Sequence, residues 1–373
     1  MSHHSSRTPV PSSLRRPGKP DRMMSAYRLV TRGYATIITR TGIPAPNRVD
    51  RDSALVVAES HLIAENVLSL RLEAADGSTL PRWHPGAHLD IVLPSGKLRQ
   101  YSLCGDPADH TSYRIAVRRI PDGGGGSIEI HDRLPVGTPL TARGPRNGFP
   151  FAYPHLARAD ISRVAFIAAG IGITAILPMV RAAAAAGIDW HLTYIGRNEH
   201  TMAFLDEIGR LGPSRIRIHT GPRLPIEDLL AHAGPRTSVY FCGPPALLHD
   251  VRAAVDQRDT AGFHFERFSA PPVVGGRAFE LRLDQSAHAV HVAPDRSALA
   301  AIRDEIPDVT YSCQQGFCGT CRVRVLSGEV ERRGQSAFLD EPDTMLICID
   351  RAKSDYLTIE LFGVDLRRIG ELR

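Results

Sequence analysis

The run Val164-Ala-Phe-Ile-Ala-Ala-Gly170-Ile-Gly172-Ile-Thr174-Ala-Ile-Leu-Pro178-Met-Val180 decides how this chain is built. Seventeen residues pass without a charge between Arg163 and Arg181, the lower limit for a membrane span. Gly170, Gly172, Thr174 and Pro178 interrupt the run as a strand, a glycine turn and a helix start would. The reading is therefore an α/β unit, in which the turn lets a pyrophosphate approach the backbone and the positive end of the helix. As a G-x-G rather than a G-x-G-x-x-G, the motif is weak when taken alone.

Its surroundings strengthen it. Apolar runs at 164–168, 190–195, 216–219 and 239–242 read as parallel strands, with helices such as 175–186 between them, which is the rhythm of a doubly wound domain. The second strand leads through Gly196 to Arg197, where an acidic residue is usual in dinucleotide sites. Val239-Tyr-Phe-Cys242-Gly243-Pro244-Pro245 ends a strand where a nicotinamide could lie at the carboxyl edge of the sheet. Phe268, in His264-Phe-Glu266-Arg-Phe268, is either a core aromatic or a ring that faces a cofactor.

Upstream, 54–150 reads as short strands (54–57, 67–72, 89–93, 113–117) punctuated by Gly, Pro and Asp, the pattern of an antiparallel barrel. Here stand Arg99-Gln-Tyr101-Ser102-Leu103, Ala116-Val117-Arg118 and Gly123-Gly-Gly125-Gly126-Ser127. A flavin needs a planar slot, hydrogen bonds along its polar edge, and cations and amides around its phosphate. Tyr101 and Ser102 offer a ring and hydroxyls, Arg99 and Arg118 charge, and the Gly125-Gly126-Ser127 turn free amides.

Downstream, a Pro/Gly-rich linker (269–277) precedes a hairpin at 278–282 and 289–292 and then Cys313-Gln-Gln-Gly316-Phe-Cys318-Gly319-Thr-Cys321, with Cys348 further on. C-x4-C-x2-C with a distant fourth cysteine is plant-type [2Fe-2S] spacing, whereas a structural zinc site usually uses two CxxC pairs. Gly316 and Gly319 let backbone amides approach the cluster.

Composition bounds the rest. At 373 residues, 43% apolar and 23% charged, the chain is globular and long enough for two or three domains. Six cysteines are too few for a disulfide scaffold and favour a reducing compartment, so the expected location is cytoplasmic. The formal charge of +5 belongs to the N-terminus: residues 1–50 hold nine Arg and Lys against Asp21 and Asp50, while residues 275–373 hold 13 against 16 acidic residues. No folded segment has the basic surface that nucleic-acid binding needs. Residues 1–20 read as a polar tail, and 22–40 as a basic amphipathic helix, packed on the first domain or touching a membrane surface.

Taken together, RQYSLC (99–104), AVRR (116–119), GGGGS (123–127), PRNGFPF (145–151), AAGIGIT, YFCGPP (240–245), HFERF and SCQQGFCGTC (312–321) resemble the phthalate dioxygenase reductase family over about residues 53–373. The resemblance implies an FMN-binding β-barrel (51–154), an NAD-binding domain (155–268) and a β-grasp plant-type ferredoxin domain (278–373). It implies FMN contacts at Arg99, Tyr101, Ser102, Leu103, Ala116, Val117, Arg118, Gly125, Gly126 and Ser127. NADH contacts fall at Gly170, Gly172, Thr174, Arg197, Cys242, Gly243 and Pro244, with Phe268 by the flavin, and the cluster falls on Cys313, Cys318, Cys321 and Cys348. Relatives often carry a basic residue within the glycine loop, and this chain does not.

The implied activity is passage of electrons from NADH through FMN and the cluster to a terminal oxygenase, of Rieske type by resemblance. Electron counting explains the order of centres: hydride brings two electrons, the cluster takes one, and a flavin converts between them. No general acid or base is required. The alternatives are an FAD-containing reductase of the same plan, a redox-sensing module, and a zinc-stabilised structural protein.

Overall fold

The computed structural model describes residues 52–121, 125–151, 161–268, 273–284, 289–306, 309, 311, 314, 316, 319–333 and 343–361. The expected basic helix at 22–40, part of the linker, and Cys313 and Cys318 lie outside these residues.

Six strands form the first sheet: β1 (Asp52–Ala64), β2 (Val67–Ala74), β3 (Ala87–Val92), β4 (Leu98–Ser102), β5 (Ser112–Arg118) and β6 (Pro139–Asn147), in the order β4-β3-β6-β1-β2-β5. All pairs are antiparallel. On β2 the two-residue period is plain, with Leu68, Leu70 and Leu72 in the interior and Val67 packed with the next sheet's core. The edge strands meet where the Cys104 N–H just past β4 donates to the Arg114 carbonyl of β5 at 2.8 Å, which curls the sheet into a barrel. Gly126–Arg133, whose type the sequence reading left open, forms helix α1.

The second sheet is wholly parallel, in the order β11-β10-β7-β8-β9. Its strands are β7 (Arg163–Ala169), β8 (Asp189–Gly196), β9 (Ile216–Thr220), β10 (Thr237–Cys242) and β11 (Gly262–Glu266), with helices α2 (Ile173–Ala185) and α3 (Pro245–Val255). Buried residues of α2 and α3 belong to separate core clusters, as in a doubly wound layer. β11, which carries the HFE residues, was not legible as a strand. The switch point of strand order falls between β7 and β10, where ligands bind in open parallel sheets.

The third sheet has the β-grasp order β13-β12-β18-β14-β16. It comprises β12 (Phe279–Leu283), β13 (Ala289–Val292), β14 (Arg322–Ser327), β16 (Thr344–Leu346) and β18 (Tyr356–Glu360), with β15 (Val330–Glu331) paired to β17 (Arg351–Ala352). Helix α4 (Ala298–Glu305) is capped by Ser297, whose hydroxyl accepts from the Ala300 N–H at 3.1 Å, and it buries Leu299 and Ile302.

Arginines tie the pieces together. Arg114 of the barrel makes a two-pronged bond to Glu207 at 2.8 and 2.9 Å, and Arg181 of α2 bonds the same carboxylate and the Cys104 and Gly105 carbonyls. Arg333 donates to the Val274 and Gly275 carbonyls, and the buried Arg351 to those of Arg277 and Ala293. The end of the linker is thereby fastened to the β-grasp sheet.

Candidate functional site

One cavity of about 450 Å³ is lined by residues from all three domains. Its volume falls in the range of about 300–1,000 Å³ usual for small-molecule sites. From the barrel come Arg99, Gln100, Tyr101, Ser102, Ala116, Arg118, Gly126 and Ser127; from the parallel domain Ile171, Thr174 and Phe268; from the β-grasp domain Arg303, Tyr311 and Gln314.

The barrel wall is formed by its two meeting edges, β4 and β5. Tyr101 is half-buried, and burial pushes its hydroxyl up to about 12, so the phenol stays a hydrogen-bonding neutral group. Gly125 adopts a left-handed conformation (φ 76°) that starts α1. A Cβ on Gly126 would come 2.5 Å from the Arg99 Nε, and one on Gly125 3.1 Å from the Lys97 Nζ. The amides opening α1 therefore lie beside two cations, a fitting seat for a phosphate. Lys97, which sequence reasoning missed, supplies the charge that the all-glycine loop lacks; only the fold shows that the β3–β4 turn reaches the loop. Leu103 and Val117 lie in the barrel core and turn no side chain to the cavity.

On the parallel sheet, the turn after β7 touches the end of β10. A Cβ on Gly172 would stand 2.2 Å from the Cys242 carbonyl oxygen, so this position accepts glycine alone without a backbone shift. The contact joins the two motifs at the switch point. Gly170 has φ 56° and lies near the Arg118 guanidinium, and the Thr174 hydroxyl donates to the Ile171 carbonyl at 2.9 Å. Gly243 packs on Ala169, and Pro244 opens α3. Arg197 lies exposed at the end of β8, outside the cavity lining. Phe268 lines the cavity and is 48% exposed, so it is not a core aromatic.

A second missed residue is Glu266, which ends β11 directly beside Cys242 of β10. Its carboxylate accepts from the Ser102 hydroxyl, one oxygen has no protein partner, and burial pushes the group up to about 8. Cys242 is buried as well, which raises its thiol well above the usual range and keeps it neutral. Ser102, Cys242 and Glu266 thus gather hydrogen-bonding groups of low charge at the junction of barrel and parallel sheet. The orphaned carboxyl oxygen, the glycine cradle beside Cys242 and the cationic seat at α1 fit a flavin and a nicotinamide.

Of the four cluster cysteines, Cys321 and Cys348 are described, and both are buried in the β-grasp core. Gly316 (φ 82°) and Gly319 (φ 71°) are left-handed, as a loop that turns its amides inward requires. Soft thiolates on such a loop suit an iron–sulfur cluster.

A flavin barrel, a parallel nucleotide domain and a β-grasp iron–sulfur domain sharing one cavity define an iron–sulfur flavoprotein oxidoreductase. Comparison with known proteins agrees. Residues 281–353 match the 2Fe-2S iron-sulfur cluster binding domain family. The chain is 36% identical over 323 residues to the carnitine monooxygenase reductase subunit of Escherichia coli, covering 82% of this chain and 97% of that one. It is 33% identical over 317 residues to the phthalate dioxygenase reductase of Burkholderia cepacia, covering 82% and 97%. A phthalate dioxygenase reductase structure described as a modular structure for electron transfer from pyridine nucleotides to [2Fe-2S] superposes with a TM-score of 0.64 at 31% identity, over 84% of this chain and 98% of that one. An intact type IV self-sufficient cytochrome P450 monooxygenase aligns with a TM-score of 0.65 at 35% identity, over 85% of this chain and 42% of that one. The chain belongs to the phthalate dioxygenase reductase family. It is an oxidoreductase of that family with a [2Fe-2S] cluster binding domain at its C-terminal end.

Proposed function

We propose that this chain is the reductase component of a two-component oxygenase of Rieske type, acts in the cytoplasm, and works through the cavity described above. Its domains are the flavin barrel at 51–154, the NAD domain at 155–268, a linker at 269–277 and the ferredoxin domain at 278–373, preceded by the extension at 1–50. The observation that carries this reading is the cavity to which all three domains contribute residues.

A bound flavin would supply the conversion between a two-electron hydride donor and the one-electron capacity of the cluster. The chain's own residues position and insulate. Arg99, Lys97 and the amides of Gly126 and Ser127 hold the flavin phosphate, and Tyr101, Ser102, Ala116 and Arg118 frame the ring. Gly172, Thr174, Cys242, Gly243 and Pro244 form the nicotinamide floor, and Arg197 meets the adenosine end. Phe268 covers the ring and excludes water. Glu266, held neutral by burial, offers a hydrogen bond to the incoming nicotinamide. Cys313, Cys318, Cys321 and Cys348 ligate the cluster. Buried free thiols at Cys104 and Cys242 fit a reducing compartment, and no helix among the described residues is long and apolar enough to cross a membrane.

The structural likeness to a self-sufficient P450 favours a second reading, in which the acceptor is a haem monooxygenase. Anaerobic NADH titration tests the three-centre chain: two electrons on flavin and one on the cluster require about 1.5 equivalents of NADH, with both absorption bands bleaching. Flavin bleaching alone near one equivalent would refute it. Anaerobic reduction of a purified Rieske oxygenase against a purified P450 then separates the two acceptors.

A further inference from the structure

The cluster-bearing loop is joined to the flavin barrel by a closed circuit of hydrogen bonds centred on one buried charge. Asp90 lies in the middle of β3, opposite Gln100 of β4, with its side chain only 2% exposed. Gln100 donates to one carboxylate oxygen and Arg146 of β6 to the other, each at 2.8 Å. From these two partners the circuit crosses to the β-grasp domain. The same Arg146 nitrogen donates to the Tyr311 carbonyl at 3.2 Å, and Gln314 donates to the Gln100 side-chain oxygen at 3.5 Å. Gln314 is adjacent to Cys313, and Tyr311 precedes it by two residues. Arg303 adds a support from α4, stacked over the Tyr311 ring at 4.2 Å and donating to the Leu98 carbonyl at 3.4 Å.

We infer that Asp90 is a positioning residue for electron transfer from flavin to cluster. A buried carboxylate with both oxygens engaged fixes the direction of Arg146 and Gln100, and these hold the loop at two points, Tyr311 and Gln314. Tyr311 and Gln314 also line the cavity, so the segment that is held reaches the flavin seat itself. Asp90 touches neither cofactor seat. Its effect passes through two neighbours to a loop whose placement sets the gap that each electron crosses, one electron leaving the flavin and one arriving on the cluster. The inference rests on the proposed function above.

The test uses the full chain loaded with flavin and cluster, in the Asp90→Asn and Gln314→Ala variants. In stopped flow, NADH reduction of the flavin stays within about twofold of the unchanged protein in Asp90→Asn. Flavin-to-cluster transfer slows at least tenfold in Asp90→Asn and by a smaller factor in Gln314→Ala, and the double variant is no slower than Asp90→Asn, because both changes cut one circuit. Amide hydrogen exchange, independent of turnover, rises in peptides spanning 309–316 and stays unchanged in β2 and β5. Unaltered transfer and unaltered exchange in both variants would overturn the inference. Should Asp90→Asn fail to fold, Gln314→Ala decides alone, by flavin-to-cluster transfer relative to flavin reduction and by amide exchange, because it leaves Asp90 and its bonds to Gln100 and Arg146 in place. If the unchanged protein itself passes no electron from flavin to cluster, the proposed function fails rather than the role of Asp90.

Discussion

Glu266 makes the behaviour of this protein in alkali calculable. Its carboxyl is raised to about 8 by burial, against an ordinary value near 4.5, and the Ser102 hydroxyl recovers only part of the cost. A group whose native value is raised favours the folded state below the unfolded value and loses that contribution as pH rises through the native value. Between pH 6 and pH 8 the native chain holds a proton that the unfolded chain has released, and above pH 8 the two converge. At about 1.4 kcal/mol per pH unit, that interval removes roughly 3 kcal/mol of stability. Glu266→Gln keeps the shape and hydrogen-bonding capacity of the protonated acid and cannot ionise. Urea unfolding followed by Trp190, which is buried in the same domain, should show the unchanged protein losing roughly 3 kcal/mol more than the variant between pH 6 and pH 9. Parallel pH profiles would refute the argument, since they would mean that Glu266 ionises as an exposed acid does. In the same window the KM for NADH should rise with pH in the unchanged protein alone.

Other expectations follow from single contacts. Gly172→Ala, which drives a Cβ into the Cys242 carbonyl, should lower the rate of NADH reduction of bound flavin at least tenfold while leaving flavin content intact, as rapid-mixing absorption would report. Lys97→Ala should weaken FMN retention about tenfold, about 1.4 kcal/mol, measured by fluorescence of released flavin in a dilution series. Cys321→Ser should abolish the cluster absorption and electron delivery while NADH reduction of flavin survives. Turnover with the oxygenase should fall as salt rises, because the acidic balance of residues 275–373 steers a basic partner surface; an ionic-strength-independent rate would contradict it.

The sheets were legible because their signals are local. Leu68, Leu70 and Leu72 alternate along one strand, and the glycines after β7 follow a run of apolar residues, so period and punctuation identify both elements without knowledge of the fold. The cysteine spacing likewise carries its meaning within nine residues. What stayed hidden depends on pairing across distance. β11 escaped notice because Gly262–Glu266 is short and has charged and polar residues among its aromatics. Glu266 stands in a quoted motif, yet its role needs Cys242 as the neighbouring-strand residue and Ser102 from the barrel. Lys97 matters only because the β3–β4 turn folds back on the glycine loop, and Asp90 because Arg146 and Gln100 flank it from two different strands. Leu103 and Val117 illustrate the converse: adjacency to a motif placed them among the flavin contacts, while strand alternation turns their side chains into the barrel interior.

The fastening of the linker bears on how such a protein can be cut and rejoined. Carbonyls from Val274 to Arg277 are bound by Arg333 and Arg351, and a Cβ on Gly276 would strike the Pro294 carbonyl, so this stretch travels with the iron–sulfur module. The natural seam for domain transplantation therefore lies before Val273, upstream of where composition alone would end the spacer. A graft severed after Arg277 would leave the guanidinium groups of Arg333 and Arg351 without three of their carbonyl acceptors, whereas one that keeps these residues would carry its own anchor into a new host.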